Sequence, residues 1–321
     1  MEILKELLKG NRRAAAKLIS LVEDDFTQAE IFLKQIYPYT GQAIVIGITG
    51  PPGVGKSTIT DRLTKNLRKQ GTKVGIIAID PTSPFTGGAL LGDRIRMQDL
   101  SADPEVFIRS MGTRGFLGGL SKATQATIKI LDAMGKEVIF VETVGVGQAE
   151  VDIVKVADMV VLITMPGMGD DIQIIKAGIM EIGDIFVVNK ADRDGCERLI
   201  TEIEMMLALK TEIKWKPPVL KTIATSGTGI IDVEETIFRY ISYLKESGEL
   251  EKKRKESTRK EIIDLLREKW GILFNKYIKK DFLEEVITRV IQRKEDPYTV
   301  VNRLSDILIN SYKQGEKDYD Q

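Results

Sequence analysis

The sequence contains no histidine among its 321 residues and only one cysteine, Cys196. The absence of histidine removes the usual imidazole acid–base catalyst and the commonest ligand of transition metals. A single cysteine excludes an internal disulfide and any cysteine cluster for a metal. Chemistry in this chain therefore has to come from carboxylates, lysine, arginine, backbone groups and magnesium.

Charge and hydrophobicity give no sign of a membrane or of nucleic acid. Lys and Arg total 47, as do Asp and Glu, so no net field attracts polyanions or an anionic bilayer. No run of about eighteen apolar residues is present to span a bilayer. The opening stretch MEILKELLKGNRRAAAKLIS has the pattern of a charged amphipathic helix and lacks the apolar region of a signal peptide. We therefore expect a cytoplasmic protein with neither kind of partner.

Hydrophobic periodicity divides the chain into three parts. Residues 1–38 carry apolar positions at helical spacing and predict a helical extension. In residues 39–246 short apolar runs alternate with amphipathic stretches, which is typical of a mostly parallel sheet in a three-layer α/β domain. The runs are AIVIGI, VGIIAI, VFIRS, EVIFVE, MVVLITM, DIFVVN and VLKTIA. Residues 247–321 lack strand signals and predict helices.

The predicted C-terminal helices carry apolar stripes that need cover. Ile262, Leu266 and Trp270 share one helical face, and Leu283 and Val290 share a face of the next helix. A helical unit this small offers little core of its own, which favours a homodimer. Packing of the stripes on their own domain is the alternative.

The strongest motif begins where the run AIVIGI ends. Residues 50–57 are GPPGVGKS, a complete G-x-x-x-x-G-K-S phosphate loop between a predicted strand and a predicted helix. Its glycines let backbone N–H groups turn toward phosphates, and the following helix adds its positive N-terminal end. We expect Lys56 to reach the β- and γ-phosphates and Ser57 to bind magnesium. The nucleotide-binding residues predicted from this loop are Gly50, Pro51, Pro52, Gly53, Val54, Gly55, Lys56, Ser57 and Thr58.

Two further segments predict that the base is guanine. Asn189, Lys190 and Asp192 form an N-K-x-D motif after the run DIFVV. The Asp192 carboxylate can accept hydrogen bonds from guanine N1–H and N2–H₂, whereas adenine would leave it unpaired. The second segment, after the last run, contributes a backbone N–H that is predicted to face guanine O6, and its nucleotide-binding residues are Ala224, Thr225 and Ser226.

Two more loops are predicted to sense the γ-phosphate. Asp80 ends the run VGIIAI and, with Asp93 in the loop that follows, can hold magnesium. Glu142 ends the run EVIFV and can hold a magnesium-bound water, and Gly145 can offer its N–H to the γ-phosphate. Loss of the γ-phosphate would then release both segments. The alternative makes Asp80 and Asp93 ordinary turn and cap residues.

These motifs together resemble the MeaB/ArgK family, which includes the human methylmalonic aciduria type A protein. The resemblance covers nearly the whole chain and lies in GITGPPGVGKST, IAIDPTSPFTGGALLGDRIRM, FVETVGVGQAEVDI, PGMGDDIQIIKAGIMEI, VVNKADRDG and ATSGTGI. It implies a P-loop GTPase domain with an N-terminal helical extension and a C-terminal helical dimerisation arm. It also implies a chaperone that gates adenosylcobalamin loading and protects or reactivates methylmalonyl-CoA mutase or a related acyl-CoA mutase.

The same resemblance suggests roles for individual residues. It places Ser57, Asp80, Asp93 and Glu142 around magnesium, and it makes residues 166–182, with Lys176, a further switch that senses the mutase. Hydrolysis of GTP depends mainly on positioning water and neutralising charge at the γ-phosphate. The candidate catalytic residues are therefore Lys56, Glu142, Arg96 and Lys176. For the last two, an ordinary salt bridge is the alternative.

Two other functions compete with this interpretation. A nickel-insertion GTPase has a similar switch architecture but generally needs histidine and cysteine ligands, of which only Cys196 is present. A kinase that phosphorylates an amino-acid transport protein would have to accept a guanine nucleotide at the N-K-x-D motif. It would also need a route from the cytoplasm to its acceptor.

Overall fold

The computed structural model describes residues 2–80, 97–112, 122–143, 152–167, 181–209 and 214–317. The chain divides into two compact units, Met1–Lys253 and Arg254–Gln321. All the described strands belong to the first unit. They are β1 Ile44–Thr49, β2 Val74–Asp80, β3 Val106–Gly112, β4 Val138–Glu142, β5 Met159–Thr164, β6 Ile185–Asn189 and β7 Val219–Thr222.

The seven strands pair in the order β3-β2-β4-β1-β5-β6-β7, and every pair is parallel. The β1, β4, β5 and β6 strands are buried along their whole lengths, as continuous apolar runs require when helices cover both faces. The predicted three-layer α/β domain with a mostly parallel sheet is therefore confirmed.

Helices cover both faces of this sheet. Those of the first unit are α1 Glu2–Leu8, α2 Arg12–Asp24, α3 Phe26–Ile36, α4 Lys56–Lys69, α5 Gln98–Ala102, α6 Lys122–Ala133, α7 Cys196–Ala208 and α8 Ile230–Glu246. One core lies between the sheet and α4 and α8, and a second lies between the sheet and α1, α2, α3 and α6. The N-terminal helices thus supply part of one layer.

Two side-chain caps divide the helical N-terminus. Asn11 Oδ1 accepts hydrogen bonds from the N–H groups of Arg13 and Ala14 and begins α2, and the Asp25 side chain accepts from Gln28 N–H and begins α3. These caps satisfy N–H groups that the first turn of a helix leaves free. The predicted helical region of residues 1–38 therefore consists of three helices and a short 3₁₀ turn, Tyr37–Tyr39.

The second unit is helical. The helix α9, Glu249–Tyr277, begins in the first unit and continues into the second, where α10 Lys280–Ile291 and α11 Pro297–Lys317 follow. Its small core contains Ile278, Val286, Val300 and Leu304. The predicted divisions at residues 38 and 246 remain predictions, as does the dimerisation role. In the described part of the chain, no helix combines the length and apolar character needed to cross a membrane.

Candidate functional site

The phosphate loop joins β1 to α4 at the carboxyl edge of the sheet. Two of its glycines are required by close contacts. A Cβ added at Gly50, where φ is 138°, would lie 1.9 Å from Ile163 O, and one at Gly55, where φ is 100°, would lie 2.3 Å from Asn189 Nδ2. Both φ values lie in the region that glycine alone adopts readily. The loop is therefore packed tightly against β5 and against the end of β6.

Lys56 is the first residue of α4 and is only 6% exposed. Its Nζ donates hydrogen bonds to Gly50 O at 2.8 Å and Pro51 O at 2.9 Å. The carbonyl groups compensate the burial of the ammonium group, and they belong to the loop that it serves. Phosphate oxygens would be stronger acceptors for the same ammonium group, and the N-terminal end of α4 adds its own favourable field.

Hydroxyl and carboxylate oxygens meet beside the lysine. Ser57 Oγ donates to Glu142 Oε1 at 2.5 Å, and Thr60 Oγ1 donates to Glu142 Oε2 at 3.3 Å. Glu142 is 5% exposed and ends β4, next to the β1 strand that leads into the loop. Hard oxygen donors of this kind are what magnesium binds. Ser57 and Glu142 thus fit the predicted magnesium site.

The other predicted members of the phosphate and magnesium site are only partly described. Asp80 is the last residue of β2, and the register that pairs Ala78 with Glu142 places its backbone at the same edge of the sheet. The Asp80 side chain and the residues Asp93, Arg96, Gly145 and Lys176 lie outside the described part of the structure. Among the side chains that are described, no group of three or more Asp, Glu, Cys or His forms a metal cluster.

The N-K-x-D segment follows β6 and ties the site together. Asn189 is 2% exposed, its Nδ2 donates to Val54 O at 2.7 Å, and its Oδ1 accepts from Thr222 Oγ1 at 3.0 Å and Ala224 N–H at 3.1 Å. The Asn189 amide thereby joins the phosphate loop to the segment after β7. The phosphate loop and the two segments predicted to bind guanine thus meet at this side chain.

Neighbouring residues leave an edge of this site open. Lys190 adopts a positive φ of 56°, and its Nζ donates to Gly53 O at 2.8 Å. The Asp192 side chain is exposed, as are those of Thr225 and Ser226. The Asp192 carboxylate therefore stands at the surface, where a base could reach it, while its neighbours hold the loops in place.

Comparison with known proteins gives the family. The family model described as methylmalonyl-CoA mutase-associated GTPase MeaB matches residues 15–277. The chain belongs to the MeaB family of GTPases. A “Putative GTPase” of Pyrococcus horikoshii is 54% identical over 315 residues, covering 96% of this chain and 98% of the relative. The resemblance drawn from the sequence motifs is thus confirmed.

Two further matches extend the comparison of this MeaB-family chain. The mitochondrial methylmalonic aciduria type A homolog of Caenorhabditis elegans is 34% identical over 298 residues, covering 87% of this chain and 75% of the relative. The crystal structure of a protein named LAO/AO transport system kinase covers 96% of both chains at 26% identity with a TM-score of 0.72. The fold is therefore shared with the solved protein over nearly the whole length of both chains.

Two contacts that stabilise the site of this MeaB-family chain could not be predicted from its sequence motifs. Arg62 donates through Nε to Ala224 O at 3.2 Å and through a terminal nitrogen to Thr225 O at 2.6 Å, which fixes the predicted base loop. Thr49 and Thr143 share a hydroxyl hydrogen bond of 2.9 Å between β1 and the residue after β4. Neither contact has a sequence signal, because each depends on a partner far away in the chain.

The Ala224 N–H group that is predicted to bind guanine O6 already has a hydrogen-bond acceptor in the protein. This N–H already donates to Asn189 Oδ1, and Ala224 itself is 3% exposed. A base that accepts from Ala224 N–H would share that hydrogen or replace the amide oxygen. The contact with guanine O6 stays a prediction.

Proposed function

We propose that the chain binds GTP with magnesium, hydrolyses it to GDP and phosphate, and serves as a chaperone of an adenosylcobalamin-dependent acyl-CoA mutase. The observation that carries the nucleotide proposal is the Asn189 side chain, which joins the phosphate loop to the Ala224 segment. The family description and the name of the Caenorhabditis elegans relative support methylmalonyl-CoA mutase as the first client to test.

In this proposal Lys56 holds the β- and γ-phosphates, and the loop N–H groups and the start of α4 bind the remaining phosphate oxygens. Ser57 and Glu142, with Asp80 and Asp93, would hold magnesium, which supplies charge neutralisation at the phosphates. The protein itself would hold the phosphates in the orientation that hydrolysis requires. Gly145, Arg96 and Lys176 belong to the segments that would respond to the γ-phosphate and to the client.

Guanine selection rests on Asp192 and has a matched control. Asp192→Asn keeps one neutral acceptor oxygen and turns the other carboxylate oxygen into an NH₂ group, which faces a guanine donor. We expect GTP affinity to fall at least about 100-fold in calorimetric titration, because two charge-assisted bonds are lost. Asp194→Asn changes another exposed carboxylate two residues away and should leave GTP affinity unchanged. Equal losses in both variants would refute the assignment.

The chaperone proposal is tested by turnover. GTP hydrolysis with magnesium should rise when methylmalonyl-CoA mutase is added, and ATP should not be hydrolysed in either condition. Lys176→Ala should keep GTP binding and lose the stimulation. If no adenosylcobalamin-dependent acyl-CoA mutase changes the rate of GTP hydrolysis, the GTPase proposal stands and the chaperone proposal is refuted.

A homodimer through the C-terminal helices is the second part of the proposal. Ile262, Leu266 and Trp270 recur along one face of α9 and are 61%, 54% and 43% exposed. Leu266→Asp should yield a monomer in sedimentation, because a charge would be buried in the contact. Lys260→Asp, about 120° around α9 from Leu266, is the control and should remain dimeric. A dimer of unchanged affinity with Leu266→Asp would exclude this face.

The solved relative is named as a kinase, which gives a second candidate function. Transfer to a protein acceptor would leave phosphate bound after denaturation, whereas hydrolysis releases it. GTP labelled at the γ-phosphate therefore separates the two. We expect all of the label in free phosphate, and label that persists on a denatured transport protein would favour the kinase.

A further inference from the structure

A groove lies at the edge of the sheet, away from the phosphate loop. It has a volume of about 430 Å³ and is lined by Arg12, Arg13 and Ala16 of α2, by Ser101 of α5 and by residues 107–109 of β3. Successive residues of a strand point to opposite faces of a sheet. A groove lined by three in succession therefore runs along the edge of β3 and not over one face.

No described strand pairs with the backbone of β3 on this side. Within the described residues β3 pairs only with β2, and Val74 N–H donates to Glu105 O. Because the groups of a strand alternate in direction, the N–H groups of Ile108 and Ser110 point away from β2. No hydrogen bond between described residues uses either of them, and both residues are partly exposed.

Two of the three arginines that line the groove, Arg12 and Arg13, make no ion pair with a carboxylate within the described residues. The Arg12 guanidinium donates to the carbonyl oxygens Ser101 O and Asp103 O at 3.3 Å, and the exposed Arg13 side chain makes no ion pair within the described residues. The carboxylates nearby are occupied, since Asp103 pairs with Arg68 at 2.9 Å and Glu23 pairs with Arg109. Two cationic groups thus face an open strand edge.

We propose that this groove binds an extended acidic segment of a partner protein. The segment adds a strand to the free edge of β3, bonds the N–H groups of Ile108 and Ser110, and places carboxylates on Arg12 and Arg13. Strand addition supplies main-chain bonds, and guanidinium groups favour carboxylates through paired N–H donors. The groove is separate from the nucleotide site, so the proposal does not depend on GTP binding.

The test uses the full chain and a dye-labelled peptide of alternating valine and glutamate, about seven residues long, enough to extend along one strand. We expect saturable binding by anisotropy and slower amide hydrogen exchange at Ile108 and Ser110. A peptide with lysine in place of glutamate tests charge. A glutamate peptide N-methylated at alternate residues tests strand pairing. Neither should bind.

The variant Arg13→Glu should weaken binding by about fivefold or more, because a cation becomes an anion at the groove. The exposed Arg13 side chain makes no hydrogen bond within the described residues, so the fold should persist. Lys69→Glu at the exposed end of α4 makes the same charge change and should have no effect. Equal binding of the N-methylated peptide, competition by free glutamate alone, or no binding of the acidic peptide would each overturn the proposal.

Discussion

Two lysines of the first unit are almost completely buried, at opposite edges of the same sheet. Lys56 is 6% exposed at the carboxyl edge, and Lys136 is 3% exposed at the amino edge, where its Nζ donates to Glu105 O at 2.9 Å. Lys56 is held by carbonyl groups of its own loop, five and six residues away. Lys136 is held by a residue that precedes a different strand.

The difference explains what each lysine can do. Local carbonyl groups can be exchanged for phosphate oxygens without disturbing the sheet, so Lys56 suits a ligand. The contact of Lys136 with Glu105 links the starts of β3 and β4, and its loss would disturb the packing. Burial, with Lys73, Arg12 and Arg68 nearby, lowers the pKa of Lys136 to about 8. The buried cation at the amino edge is therefore the costly one.

The largest effect is expected from Lys56→Met. Loss of the ammonium group should weaken GTP binding at least about 1,000-fold, or ~4 kcal/mol, because the phosphates would lose a buried cation that binds them directly. The thermal midpoint should change less than the affinity, because the carbonyl groups that lose Lys56 belong to the loop and not to the sheet. Calorimetric titration measures the affinity, and Lys69→Met at the far end of α4 is the control. Retained affinity in Lys56→Met would contradict the role at the phosphates.

Asn189→Ala should follow in size. It leaves Val54 O, the Thr222 hydroxyl and Ala224 N–H without their bonds in a buried position, so the free energy of unfolding should fall by about 3 kcal/mol. Urea unfolding measures it. Asp194→Ala, exposed in the same segment, should cost less than about 0.5 kcal/mol. Similar values for both would show that Asn189 does not hold the loops.

Lys136 should give the first unit an unusual dependence on pH. Its folded pKa is near 8, below the usual value of 10.5, so between these pH values the unfolded chain binds more protons than the folded one. The free energy of unfolding should then rise with pH, by at most about 3 kcal/mol relative to Lys136→Met. Urea unfolding of both proteins from pH 7.5 to about 10.5 isolates this contribution. If the free energies of unfolding of the two proteins change in parallel with pH, Lys136 makes no such contribution.

The smallest effect is expected at another contact of the amino edge. Asp184 accepts from Val160 N–H at 2.8 Å, from the Tyr240 hydroxyl and from Lys253. Burial and the Asp184 carboxylate raise the pKa of Tyr240, which keeps its hydroxyl a donor. Tyr240→Phe should lower the free energy of unfolding by about 1 kcal/mol, because Asp184 keeps two other donors. The hydroxyl also accepts from Lys253 Nζ at 3.1 Å, and a loss above about 3 kcal/mol would show that it does more than make these two bonds.

Sequence patterns predicted the sheet and the phosphate loop because both depend on neighbours in the chain. Short apolar runs marked all seven described strands, and the glycines of the loop marked its turn. The caps at Asn11 and Asp25 also had a local signal, an N-cap residue type, that would have divided the N-terminal helices. The role of Asn189 as a tie between loops could not be predicted, since its partners lie 135, 33 and 35 residues away.

The two buried lysines show the same limit. Periodicity predicts which apolar side chains are covered, but not which cation is enclosed with them. Lys136 stands beside Glu137 at the end of a helical pattern, where the ordinary expectation is a solvated charge. Only the strand order β3-β2-β4 brings Glu105 O to its Nζ. Long-range contacts of this kind need the assembled sheet.

The order of the strands also has a consequence for synthesis on the ribosome. The first strand lies at the centre of the sheet, between β4 and β5. Ile44 of β1 therefore cannot pair with a neighbouring strand until Val138 of β4 has been synthesised. The Asn189 tie closes only when Ala224 has left the exit tunnel. At about 5–20 residues per second, the nascent phosphate loop stays incomplete for roughly 10 to 35 seconds. The nucleotide site is therefore complete only late in synthesis, and nucleotide binding cannot guide the first folding steps.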